Sequence, residues 1–182
     1  DSGTPPPYLP ALTSRPSPED QVRFIANIER ILSEGSFVAT YKYALLVALV
    51  ELAIERGDDS NRELTLPIRD IADKFAELYW RQAAPYEADR ASGVGLVLHQ
   101  NTGKQAGAIT RLARLRDELK GSRSTVAEAR RTADWKRLVG QMQTLLKNMP
   151  LWRLQRVGHE DIRFLYEPGP GANHITLLPG VA

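Results

Sequence analysis

Hydrophobic positions recur with a helical period through most of this chain and with a period of two near its end. Val22, Ile25, Ile28, Ile31 and Leu32 follow Pro18-Glu19-Asp20, a spacing that predicts a first helix running to about Gly35. The oiliest stretch comes next. Ten of the eleven side chains from Tyr43 to Ala53 are apolar or aromatic and only Glu51 is charged. A second helix is expected from about Tyr41 to Arg56, capped by Thr40 and stopped at Gly57. Being apolar on all sides through its first turns, it is expected to be the central helix. Leu64-Thr65-Leu66 reads as a short extended piece, and Pro67 sits at the first turn of a third helix reaching about Gln82. Ile109, Leu112, Leu115 and Leu119 share one face of a fourth helix, opened at Gly103 or Lys104 and ended by Gly121. Thr125-Val126-Ala127-Glu128 has the form of a capping box and starts a fifth helix, to about Asn148.

After Met149-Pro150 the period changes. Trp152-Arg153-Leu154-Gln155, Ile162 to Tyr166, and His174 to Leu178 read as three short antiparallel strands. In the first of these, Trp152 and Leu154 share the core side while Arg153 and Gln155 share the other. The expected fold class is therefore α+β, a mainly helical body of about five helices with a small C-terminal antiparallel β-meander. Residues 1–17 are polar and proline-rich and are expected to form a flexible lead-in. Residues 18–182 are enough for one core and one domain.

Composition removes whole classes of chemistry. With no cysteine there is no disulfide, thiol nucleophile or cysteine zinc site, and a cytoplasmic setting is expected. No apolar run approaches the ~18 residues of a bilayer crossing, so no membrane partner is expected. His99, His159 and His174 lie in separate segments, and neither a metal-ligand spacing nor a GxSxG occurs. Gly103-Lys104 lacks the spacing of a phosphate loop. No catalytic residue, metal ligand or cofactor is expected in this chain.

Charge points elsewhere. Between His99 and Arg163 there are 14 basic side chains, most of them arginine, against 6 acidic ones. Such a block suits phosphates, because each neutralised phosphate releases counterions and arginine grips phosphate or guanine through two bonds; the alternative is a solvated helical face. Gln100-Asn101-Thr102-Gly103-Lys104-Gln105 sets five polar side chains around a glycine at a helix start. That arrangement is suited to phosphates and adenine edges, or simply to capping the helix. Arg81, beside Trp80, either complements the end of its helix or reaches a ligand.

These residues carry a resemblance. The segments FIANIERILSEGSFVATYKYALLVALVELA, LPIRDIADKFAELYWRQAAPY, LHQNTGKQAG and MPLWRLQRVG occur in this order. Together they resemble the N-terminal region of bacterial HNH-family restriction endonucleases, over about Arg23 to Ala182. A more distant likeness is to the sulfur-binding domain of McrA-like, modification-dependent (type IV) enzymes. There a His-Lys-Pro opens a leucine-rich helix, and a Tyr-Pro before a strand helps line an apolar cup for a phosphorothioate sulfur. Tyr41-Lys42-Tyr43 before ALLVAL resembles the first element, and Met149-Pro150-Leu151-Trp152 the second. Tyr41 stands in place of His, Tyr43 in place of Pro, and Met149 in place of Tyr.

The resemblance implies a recognition domain for double-stranded DNA, phosphorothioate-modified, with a linked C-terminal HNH nuclease domain that alone would use a divalent metal. It implies that Thr40, Tyr41 and Lys42 project from the core at the positive end of a helix dipole, where a backbone phosphate is welcome. Arg81, Gln100, Asn101, Thr102, Lys104, Gln105, Arg153 and Gln155 complete the expected DNA-facing set. Tyr41, Tyr43, Met149, Pro150 and Trp152 are expected to line the modification pocket. The rival readings are a DNA-binding module for another modification or plain sequence, a protein-interaction or autoinhibitory domain of a nuclease, and an enzyme with a dispersed site.

Overall fold

The computed structural model describes residues 16–34, 39–58, 60–82, 104–118, 125–148, 150–168 and 173–181. Ser17 caps α1 (Pro18–Ser33): its hydroxyl accepts from the Asp20 N–H at 3.1 Å, while the Asp20 carboxylate accepts from the Ser17 N–H. This reciprocal pairing satisfies two N–H groups that a helix start otherwise leaves open. Only Ile31 of α1 is buried, and Phe24 meets Phe164 edge-on at 5.5 Å. In α2 (Ala39–Arg56) the buried positions Tyr41, Ala44, Leu45, Ala48, Leu49 and Leu52 form one stripe. Tyr43, Val47, Val50 and Ile54 form another and stay exposed. The expected central helix is thus an outer one, with a single face in the core.

The central position belongs to the helix after β1 (Leu64–Pro67). Pro67 closes that strand rather than opening a helix. In α3 (Ile68–Gln82), Ile68, Ile71, Ala72, Phe75, Ala76, Tyr79 and Trp80 are all buried, and the small alanines let neighbours approach closely. Next come α4 (Lys104–Glu118), α5 (Val126–Arg130) and α6 (Ala133–Asn148). α3 packs on α2, α4 and α6, its largest interface being with α6. The Thr125–Glu128 capping box forms as expected, but the fifth helix does not run through. Thr132 interrupts it, its hydroxyl accepting from the Trp135 N–H at 3.1 Å and donating to the Ala129 carbonyl at 2.7 Å. A threonine that can cap a new helix competes with the helix it would otherwise continue.

One charged network crosses the α3–α6 contact. The Arg130 guanidinium donates to Asp73 and, at 2.8 Å, to Glu77; the Trp135 indole N–H donates to the other Asp73 oxygen at 2.7 Å. At the neighbouring α4 contact, the buried Arg116 donates to the Trp80 carbonyl and lies 5.4 Å from the Trp80 ring centre. Part of the arginine block is therefore fastened inside the fold.

The end of the chain departs furthest from expectation. Trp152–Gln155 is not a strand: α7 (Pro150–Arg153) is a single helical turn, followed by β2 (Arg156–Val157) and β3 (Glu160–Asp161). These two form a small hairpin, turned at Gly158 with φ 60°, a value glycine adopts without strain. The second expected strand moves toward the C-terminus, becoming β4 (Tyr166–Pro168), while β5 (His174–Leu177) forms where expected. The three-stranded sheet has the order β1-β5-β4, with Leu66 opposite Ile175 and Tyr166 opposite Leu177. Pro67 and Pro168 end the two edge strands, where a missing N–H costs no ladder bond. The class is α+β, and the sheet borrows β1 from the middle of the chain to close what was expected to be a purely C-terminal meander.

Candidate functional site

The first turn of α2 was expected to face a ligand, but Tyr41 and Lys42 in it are buried. Tyr41 is 1% exposed and packs 5.6 Å from Phe75 and 5.5 Å from Tyr79, ring centre to ring centre. Lys42 is 2% exposed, and burial lowers its pKa because the charged ammonium loses hydration. Tyr43 is exposed, on the outer stripe of α2. Tyr41 and Lys42 are thus withdrawn from the surface, and none of the three lines the hollow beside α7. Tyr41 falls in phase with Ala44, Leu45 and Ala48, and its large ring joins the aromatic cluster.

The segment after Pro150 reverses the expected facing. A helical turn sends Leu151 and Leu154 inward, leaving Trp152 53% exposed and Arg153 at the surface. Gln155 is buried and fully used by the fold. Its amide N–H donates to the Tyr166 carbonyl at 2.9 Å, and its oxygen accepts from the Phe164, Leu165 and Tyr166 N–H groups at 3.0, 2.8 and 3.3 Å. One side chain thus satisfies several backbone groups of the bend that leads into β4. Tyr166 completes the anchor by donating to the Leu151 carbonyl at 2.7 Å, and burial pushes its phenol well above the usual tyrosine value.

Over these anchors lies a hollow of about 50 Å³. Ile68, Leu151, Tyr166 and Ile175 form its apolar part, Pro168 and Trp152 flank it, and Gln155 contributes from below. Lys147, Arg163, His174 and Asp161 supply charge or polarity around it. Lys147 donates to Asn173 at 2.6 Å, and Arg163 stands 3.7 Å from Asp161 in a pair more than half exposed on each side. An exposed pair of that kind is weak and can exchange partners. The hollow is large enough for one soft substituent, since a water needs only about 10–15 Å³ measured the same way.

Of the expected pocket residues, Trp152 lines this hollow; Tyr41 and Tyr43 do not. Pro150 opens α7, Thr40 lies in the first turn of α2, Arg81 near the end of α3, and Lys104 and Gln105 at the start of α4; there the backbone alone is described. Gln100, Asn101, Thr102 and Met149 lie outside the described residues. Ile68, Lys147, Arg163 and His174 come from four remote segments and carry no shared spacing. The one sequence signal among them is the alternation that put His174 on a strand. Among the described residues, no cluster of three or more histidine, aspartate or glutamate side chains is arranged to hold a metal ion, and no helix is long and apolar enough to cross a membrane.

Neither a curated protein nor a solved structure matches the chain. A family model does match, over residues 21–170, which takes in all of α1 but its first three residues, every element from α2 to β4 and most of the hollow. The chain thus belongs to the family described as Domain of unknown function (DUF8808).

Proposed function

We propose that this chain is a recognition domain for modified duplex DNA, with the phosphorothioate linkage as its ligand, and that it serves as the targeting part of a cytoplasmic, modification-dependent HNH nuclease whose catalytic domain supplies any divalent metal. The observation that carries the reading is the hollow beside α7, apolar within and cationic around. Sulfur is large, polarizable and poorly hydrated, so seating it against Ile68, Leu151 and Ile175 costs little. Seating a charged phosphate oxygen there costs several kcal/mol unless it is paired. Lys147, Arg163 and His174 then meet the remaining phosphate oxygens, and the exposed Trp152-Arg153 pair lies against sugar and backbone.

The test is a binding titration against two duplexes that differ by one sulfur, at two salt concentrations. The expected result is tighter binding of the sulfur-bearing duplex and a loss of affinity as salt rises. Equal affinity for the two duplexes would remove the sulfur claim and leave a module for another modification or plain sequence. One observation favours a second reading: the apolar stripe Tyr43, Val47, Val50 and Ile54 on α2 suits a protein-interaction or autoinhibitory domain of a nuclease. Absence of duplex binding at low salt would favour it.

A further inference from the structure

A second concavity lies between α2, α3 and α6, with a volume of about 560 Å³, within the range of small-molecule sites. Its floor is apolar, formed by Leu52, Trp135 and Val139. Its walls carry three carboxylates, and each is already paired there: Asp70 with Arg56 at 2.6 Å, Glu55 with Lys74, and Asp73 with Arg130. Glu51 and Glu77 add a second carboxylate to Lys74 and Arg130. Two wall cations remain. Arg69, in the first turn of α3, and Lys136, in α6, have no ion-pair partner among the described residues, and both are exposed. Arg130 adds to them: its Nε and Nη2 are held by the carboxylates, which leaves Nη1 without an acceptor among the described residues.

We propose that this cleft binds a phosphate-bearing anion, held between Arg69 and Lys136 and oriented by Arg130. The carboxylates fix Arg56, Arg130 and Lys74 in place, which leaves Arg69, Lys136 and the Nη1 of Arg130 as the cationic groups with no partner among the described residues. A guanidinium and an ammonium on facing helices match the several oxygens of a phosphate better than the two of a carboxylate. The volume exceeds that of a bare ion and leaves room for the organic part of a phosphate ester. The phosphate can come from a free phosphoester or from a nucleic-acid backbone.

The deciding experiment is calorimetric titration of the chain with inorganic pyrophosphate at low ionic strength, with a sulfur-free duplex as the parallel arm. Wild type is expected to bind pyrophosphate saturably, and Arg69→Gln and Lys136→Gln each to weaken it about tenfold, as expected for a lost charged hydrogen bond. Arg137→Gln removes the same charge one residue outside the cleft and should change affinity less than about twofold. Both test positions are solvent-exposed, so the variants keep the fold. Parallel loss of duplex binding in the two variants would identify the phosphate as nucleic-acid backbone. Loss confined to pyrophosphate would identify a free phosphoester. Pyrophosphate binding by a chain that binds no duplex supports the cleft and overturns the DNA reading. Absence of saturable binding in wild type, or equal binding by all three variants, would overturn the cleft.

Discussion

The start of α2 and the turn of α7 each set an aromatic ring beside a basic side chain, yet they end up on opposite sides of the surface. Tyr41 and Lys42 are drawn into the core, whereas Trp152 and Arg153 are left outside. Hydrophobicity alone predicts the reverse, because tryptophan is the oilier ring. The difference lies in helical phase. Tyr41 is three and four residues ahead of Ala44 and Leu45, so it shares their stripe and completes a cluster with Phe75 and Tyr79. Trp152 lies between Leu151 and Leu154, whose spacing of three claims the inner side of a single turn. A side chain's burial follows the stripe it belongs to more than its own chemistry.

The sharpest way to break that comparison is truncation on the two faces of α2. Tyr41→Ala removes a ring from a close-packed aromatic cluster and is expected to destabilise the fold by about 4 kcal/mol. Tyr43→Ala, two residues on, should cost about 0.5 kcal/mol. Urea unfolding at fixed m-value measures both; equal midpoints for the two variants would mean that α2 is rotated about its axis. The next effect sits at the other region. Gln155→Ala strands three N–H groups and a carbonyl in a buried bend and is expected to cost about 3 kcal/mol. Arg153→Ala, exposed two residues earlier, should stay within about 0.5 kcal/mol.

Where local rules govern, the sequence was legible. Pro18 with Ser17 and Asp20, and Thr125 with Glu128, mark helix starts because capping involves only four residues. The fold class and the positions of α1, α2, α3, the start of α4 and β5 follow from periodicity alone. What was not legible depends on distant partners. Trp152-Arg153-Leu154-Gln155 fits both a strand and a helical turn, and the choice is made by Gln155 meeting the backbone near Tyr166, eleven residues away. The break at Thr132 was missed because the helical pattern continues through it. The hollow joins α3, α6, α7 and the sheet, so no single segment announces it. The outer stripe of α2 was mistaken for core because a helix with two apolar faces reveals no preferred side.

Two lysines on α2 and α3 extend the comparison to smaller effects of opposite sign. Burial lowers Lys42 below the ordinary value of 10.5, so the unfolded chain holds that proton more tightly than the folded one. Stability attributable to Lys42 therefore rises with pH in the window just below 10.5 and levels off above it. Lys74 is raised above 10.5, first by its hydrogen bond to Glu55, with Glu51 and Glu77 adding to it and burial opposing. Its contribution is complete below 10.5 and is lost as pH climbs through the raised value. Urea unfolding between about pH 8 and 11 should show Lys42→Met removing the rise and Lys74→Met removing the fall. Identical pH slopes in both variants and wild type would mean that neither lysine differs between folded and unfolded chains.

A small expected change in stability, at Trp152, is the most informative one. Truncating a buried tryptophan costs about 3–5 kcal/mol, but Trp152 is 53% exposed and its neighbours Leu151 and Leu154 hold α7 in place. Trp152→Ala should therefore change stability by no more than about 1 kcal/mol. Under the proposed function, this large exposed ring at the edge of the apolar hollow is available to contact the modified linkage. The same variant should bind plain duplex nearly as wild type does and lose its preference for the sulfur-bearing one, because phosphates are held by the cations while the ring flanks the apolar seat. If Trp152→Ala unfolds the chain, the ring belongs to the core and α7 obeys the strand alternation of Trp152 with Leu154 after all. If the variant is stable and still prefers sulfur, the hollow beside α7 is not where the modified linkage sits.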